Sequence, residues 1–313
     1  MGRIVPQSED DIKLPAYINL FETGELEHRV AEAYEMLKGC KLCARECGVN
    51  RLEGDKGFCK SGKLAMVSSV GPHFGEEPPL VGRHGSGTIF LTNCNLGCVF
   101  CQNYDISQLG DGKEADSAYL AHAMLSLQNM GCHNINFVTP THYVPQILDA
   151  LLIAVKDGLN VPLVYNCGGY ESLNTLKLLD GIFDIYMPDI KYGDNNMAKK
   201  YSQAPNYFDI AKSVIIEMHR QVGDLMVNKQ GIAEKGLLIR HLIMPNGLAG
   251  TDKVVEFVAK LSKNSYINIM AQYRPQYKAS SYPELNRRIT TDEYVDAILR
   301  AEKSGLTRGF RHE

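Results

Sequence analysis

From Gly87 onward, short apolar runs alternate with helical patterns, and this alternation constrains the fold more than any other feature of the chain. The runs are TIFLTN (88–93), INFVTP (135–140), VPLVYN (161–166), FDIYMPDIKY (183–192), KGLLIRHLIMP (235–245) and YINIMAQY (266–273). Helical periodicity follows each in turn, over 116–131, 143–158, 171–180, stretches reaching 222, 250–262 and 290–304. Nearly continuous apolar character bounded by turn residues predicts buried parallel strands. Right-handed crossovers of this kind build a doubly wound sheet or a barrel, and six units predict an incomplete (β/α) barrel of the α/β class. In either architecture the active site lies at the C-terminal ends of the strands. The polar residues fall there: Asn93 and Cys94, then TPTH (139–142), NCGG (166–169), PDIK (188–191), Arg240 with His241, and Gln272, Tyr273 and Arg274.

Ahead of the barrel, GELEHRVAEAYEMLKG places Leu26, Val30, Ala33, Tyr34 and Leu37 on one helical face, and Gly39 ends it. Residues 40–62 are rich in Gly and Cys, and 63–87 read as a Gly/Pro-rich loop in which RHGSG (83–87) is a turn. Three regions follow: an N-terminal extension over 1–86, a barrel over 87–275 and a C-terminal helical extension over 276–313. The net charge of -3 gives no nucleic-acid or anionic-membrane footprint. No apolar run is long enough to span a membrane. The first residues lack an apolar signal core, and Pro6 stands where a myristoylation signal needs Ser or Thr. The expectation is a cytoplasmic protein whose nine cysteines serve metal or redox chemistry.

Seven of those cysteines lie in two groups between Cys40 and Cys101. The second group, Cys94, Cys98 and Cys101, has gaps of three and then two residues directly after the first strand. Four thiolates close a [4Fe–4S] cluster; three leave one iron without a protein ligand, free to take N and O donors from another molecule. Gly97 is expected to ease the loop's sharp turn. The alternative is a zinc site completed by Cys132 or Cys167, although zinc more commonly uses paired Cys-x2-Cys knuckles.

The stretch CNLGCVFCQN resembles the cluster motif of the radical S-adenosylmethionine (radical SAM) superfamily. CKLCARECGVNRLEGDKGFCKSG, GEEPPLVGRHGSGTIFLTNCNLGCVFCQNYDIS, VTPTHYVPQI and MPDIKYGD are similar to its pyruvate formate-lyase activating-enzyme-like branch, and to stand-alone homologs of unassigned role within it. The resemblance implies a partial (β/α)6 barrel and a [4Fe–4S] cluster on Cys94, Cys98 and Cys101. SAM would chelate the open iron, and a reductant such as flavodoxin or ferredoxin would supply electrons. It implies a 5′-deoxyadenosyl radical that abstracts hydrogen from a protein glycine or, in the alternative, from a peptide or small molecule. Phe100 matches the aromatic position near the SAM adenine. Asp189 and Lys191 match the segment that contacts SAM, and Arg240 the strand-five arginine. Where the activases carry Gly-Gly-Glu, this chain has TPTH, so Thr139 and Thr141 are the expected replacements, with His142 as the alternative. Asn166 is the expected ribose contact. The strand-six histidine of the activases is replaced by Gln272 or Tyr273.

The first cysteine group, Cys40, Cys43, Cys47 and Cys59, has the spacing of a closed four-thiolate site. Either structural Zn2+ or an auxiliary [4Fe–4S] cluster fits it. Arg287, Arg288, Arg308 and Arg311 make the C-terminal region mildly basic, a solvated face or a dock for an acidic peptide. The reading from a different functional class is a non-catalytic iron–sulfur or zinc protein acting as scaffold or sensor.

Overall fold

The computed structural model describes residues 14–310; Pro6 and Arg311 lie outside the described residues. Among the described residues nine strands form, numbered in chain order: β1 (Ala65–His73), β2 (Ser86–Leu91), β3 (Lys113–Ala115), β4 (Ile135–Val138), β5 (Leu163–Cys167), β6 (Ile185–Pro188), β7 (Met226–Val227), β8 (Ala233–Leu242) and β9 (Tyr266–Met270). β2, β4, β5, β6, β8 and β9 pair in that order, every pair parallel. These are the six expected runs. No pairing joins β9 back to β2 among the described residues, so the barrel is partial. Val164, Ile185, Met187 and Leu238 meet in one buried cluster with Leu80. The neighbouring side chains Phe137, Tyr165, Tyr186 and Ile239 pack with Leu120, Leu127, Leu148 and Val258 of the covering helices. Alternate residues of one strand thus serve opposite faces.

The segment 63–87 is more ordered than its composition suggests. β1 pairs antiparallel with β2, and β3 adds outside it. Ser68, Ser69, Gly71 and Pro72 dilute the apolar signal, and the register slips between Val67 and Ser69. The strand therefore exists through its partner, since β-propensity depends strongly on context. In the N-terminal extension, helices Tyr17–Glu22 and Glu25–Glu35 form, with Leu26, Ala33 and Leu37 buried and a short 3-10 turn ending at Gly39.

Asp184, just before β6, joins this extension to the sheet. Its carboxylate accepts from the backbone N–H groups of Ala16 (3.1 Å) and Leu163 (3.3 Å). Burial pushes the carboxyl up to about 6 from 3.8, against the opposing pull of those two bonds. A folded value above the unfolded one means stability that is full below about pH 4 and lost as pH rises through about 6. In Asp184→Asn, stability should fall less between these pH values than in the parent, as thermal melts across the range would show.

Candidate functional site

The loop after β2 turns at Asn93, which is in the left-handed region (φ 64), and brings Cys94, Cys98 and Cys101 to one cavity of about 230 Å³. The cavity lies at the C-terminal ends of the parallel strands, where Thr139, Asn166, Asp189 and Arg240 also line it. Larger hollows of about 610 and about 1000 Å³ open elsewhere, with no cysteine in their walls.

Each sulfur has a hydrogen-bond partner. The N–H of Leu96 donates to Cys94 Sγ (3.4 Å), the Ser202 hydroxyl donates to Cys98 Sγ (3.0 Å), and Cys101 Sγ lies 2.9 Å from Ser107 Oγ. Such bonds tune the potential of a cluster held by those sulfurs. Burial pushes the Cys94 thiol far up and the Cys98 thiol up to about 11, the latter moderated by Lys191. Burial thus favours the neutral thiol at Cys94 and Cys98, and a bound metal would displace those protons. Gly97 serves the loop through space and not through an unusual backbone angle. A Cβ there would lie 3.0 Å from the Gln203 side chain and 3.3 Å from the Phe58 ring.

A charged group lines the same cavity. Asp189 accepts from Lys191 Nζ (2.6 Å) on one oxygen and from Arg240 Nε (2.8 Å) on the other. Arg240 Nη2 donates to Asn166 Oδ1 (2.6 Å), and Nη1 sits 3.5 Å from Glu76. Burial works to raise Asp189, but Arg240 and Lys191 outweigh it and hold the carboxyl below its ordinary value. Lys191 is raised in turn, Asp189 outweighing its desolvation. Burial raises the Glu76 carboxyl despite Arg240. Two cations thus face the pocket against one firmly ionised carboxylate, a balance that welcomes an anionic group.

Phe100 is buried in the wall, 5.8 Å from Tyr273 and 6.4 Å from Tyr192 between ring centres. Thr139 lines the cavity from a left-handed backbone (φ 62), a strained conformation for a β-branched residue. Thr141 does not line it: its hydroxyl donates to buried Glu171 (3.0 Å). His142 also faces elsewhere, with Nε2 2.9 Å from the Thr92 carbonyl. Of the strand-six pair, Gln272 lines the cavity, while the Tyr273 hydroxyl donates to the Leu285 carbonyl. Of the two spare cysteines, Cys167 borders the cavity; Cys132 packs beside Gly87, at the start of β2 and away from the loop. Ser107, Gln108, Gln102 and Met270 are wall residues that the sequence reading did not single out. Gln102, Ser107 and Gln108 depend on how the loop folds back, which no periodicity encodes, while Met270 closes the apolar run of β9 and carries no polar signal.

The four-cysteine segment gathers Cys40, Cys43, Cys47 and Cys59 around a separate small hollow that also touches His142. Among the described residues, no three His, Cys, Asp or Glu side chains converge as the ligands of a single ion do. At the C-terminal end, Arg287 is tied to Glu293 and Arg308 to backbone carbonyls, so these two are structural ties more than a docking face.

Residues 88–228 match the Radical SAM superfamily. The chain is 37% identical over 290 residues to the uncharacterized protein MJ0674 of Methanocaldococcus jannaschii, covering 90% of this chain and 79% of that protein. MJ0808 of the same organism is 24% identical over 279 residues, covering 82% and 77%. Among solved structures, a radical SAM methyltransferase from Sphaerobacter thermophilus aligns over 72% of this chain and 66% of its own length, with 14% identity and a TM-score of 0.48. Streptococcus suis SuiB, bound to its precursor peptide SuiA, aligns over 71% and 47%, with 14% identity and a TM-score of 0.49. The chain thus spans less than two thirds of the length of each of these solved chains. By its likeness to MJ0674 the chain belongs to the family of that protein, and its residues 88–228 form a domain of the radical SAM superfamily.

Proposed function

We propose that this protein cleaves SAM reductively and uses the resulting radical to take hydrogen from a substrate. The observation that supports this most is that one cavity is lined by three hydrogen-bonded thiols together with Lys191, Arg240 and Asn166. Cys94, Cys98 and Cys101 would hold a [4Fe–4S] cluster, which would supply the single electron that reductive cleavage of the sulfonium C–S bond requires.

The chain's own residues do the positioning. Cys94, Cys98 and Cys101 present one face of the cluster site. Lys191 and Arg240 offer donors to the SAM carboxylate in exchange for part of their hold on Asp189. Asn166 and Thr139 offer polar atoms to the ribose or the amino group, and Phe100 offers an apolar wall to the adenine. A further hollow of about 600 Å³ shares Gln102 and Gln272 with the cavity and carries Arg274 and Arg288, which gives a substrate room beside SAM.

The finer placement is the activating-enzyme-like branch, supported by the long stretches around Cys94 and Asp189. It names a backbone glycine of a partner protein as the target and flavodoxin or ferredoxin as the electron source. A cytoplasmic location belongs to the same reading and is supported by the nine free cysteines, which a reducing compartment keeps unpaired.

Protein reconstituted anaerobically with iron and sulfide, then given dithionite and SAM, should release 5′-deoxyadenosine. No product, together with a cluster EPR signal that ignores SAM, would leave the scaffold or sensor reading standing instead.

A further inference from the structure

The hollow between the N-terminal segment and the start of the Val144–Lys156 helix has an unusual charge. Arg51 is fully buried. Its Nε and Nη2 donate to the Gly62 carbonyl (3.1 and 2.8 Å), and Nη1 donates to the His142 carbonyl (2.7 Å) and approaches Cys40 Sγ (4.0 Å). These partners are neutral oxygens and one sulfur; no carboxylate among the described residues pairs with it. A guanidinium keeps its charge, and a buried charge without a counter-charge is among the costliest arrangements in a protein.

Two more groups are left incomplete. Arg45 stacks 3.6 Å above the Phe58 ring and donates Nε to the Asn95 carbonyl (2.9 Å), but its buried Nη2 has no partner. His142 holds the Thr92 carbonyl through Nε2, so Nε2 carries the proton and the buried Nδ1 keeps a bare lone pair without a partner. Arg45, Arg51 and His142 line the same hollow as the four cysteines. Four neutral thiols answer none of these deficits. Four metal-bound thiolates carry the missing negative charge.

The thiol geometry bears on which metal. Zinc needs four sulfurs at about 2.3 Å from one point. Here the sulfurs ring a hollow. The gaps in Cys40, Cys43 and Cys47, two residues and then three, are those of Cys94, Cys98 and Cys101 in reverse order. Gly57 permits the close approach of the segment's second half, since a Cβ there would lie 2.7 Å from Cys47 Sγ. The Phe58 N–H donates to that sulfur (3.5 Å).

We propose that Cys40, Cys43, Cys47 and Cys59 hold a second [4Fe–4S] cluster, closed by four thiolates, and that Arg45 couples it electrostatically to the centre at Cys94, Cys98 and Cys101. Arg45 stands between the two: it lines the four-cysteine hollow and bonds the carbonyl of Asn95, next to Cys94. A cation shared in this way favours the electron-rich state of either cluster, so its removal makes both harder to reduce. The coupling rests on the radical SAM reading of the three-cysteine loop; the second cluster does not.

The test uses full-length protein. Cys98→Ala, reconstituted with iron and sulfide in the presence of equimolar zinc, should retain about four iron and four sulfide per chain. One electron from dithionite should convert that cluster from the 2+ to the 1+ state and give an EPR signal. Further replacement of Cys43 and Cys59 by Ser should remove both iron and signal. Zinc without sulfide, or no metal at all, overturns the second cluster.

For the coupling, EPR-monitored titration of Arg45→Met, folded by circular dichroism, should show both clusters shifted to more negative potential, with Arg45→Lys recovering much of the shift. A shift at the four-cysteine centre alone overturns the coupling. If the parent makes no 5′-deoxyadenosine while Cys98→Ala keeps its iron, the SAM reading fails and the second cluster stands.

Discussion

Cys98→Ala should reduce 5′-deoxyadenosine formation to the background of protein-free controls while leaving the chain folded. Cys98 is the middle thiol of the loop, buried, with Ser202 donating to its sulfur. Two thiolates cannot hold a cubane in the position that lets SAM reach its open iron. The structural cost is modest by comparison: a small side chain shortened by one atom is worth about 1 kcal/mol. Product analysis by chromatography, alongside a thermal melt, separates lost chemistry from lost fold. Product persisting at the parent's rate would remove Cys98 from the catalytic centre.

Arg240→Gln should harm both fold and binding. Arg240 carries one oxygen of buried Asp189, the amide oxygen of Asn166 and the nearer oxygen of Glu76. Its loss leaves Asp189 with Lys191 alone. Removing one partner of a buried pair costs roughly 3–5 kcal/mol, which for a chain of this size is a fall in Tm of roughly 10 °C. SAM affinity should fall between about tenfold and a hundredfold, the worth of one charge-assisted hydrogen bond to its carboxylate. Calorimetry on the reconstituted protein reads both. Arg240→Lys, which keeps the charge but loses the fork, should recover only part of the affinity. Unchanged SAM binding in Arg240→Gln would move the carboxylate seat elsewhere.

The six parallel strands were legible because buried parallel strands are nearly uniform in apolar character, and such runs stand out from one sequence. The polar residues at their ends were legible for a related reason: Asn166, Asp189 and Arg240 interrupt apolar runs where a chain with no site would have no cause to. Thr139 and Thr141 mark where this reading stops working. Two residues apart on a strand would share a face. β4 ends at Val138, Thr139 turns through a left-handed angle, and a 3-10 turn begins at Thr141. Thr139 therefore reaches the cavity while Thr141 turns to Glu171 and His142 to the other hollow. β1 escaped for a different reason, since its pairing partner lies beyond a turn and its own composition is that of a loop.

β1 has a practical consequence for anyone cutting this chain down. The superfamily match begins at residue 88, inside β2, and ends at residue 228, before β8. A fragment with those limits would strip the antiparallel neighbour from one side of β2 and the parallel neighbour from β6. Each would then present a row of unpaired N–H and C=O groups, which is a template for joining strands from other molecules. The recognisable segment therefore ends inside the sheet at both of its margins. Aggregation of a minimal fragment would report bare sheet margins, and would say nothing about the chemistry of the cysteines it contains.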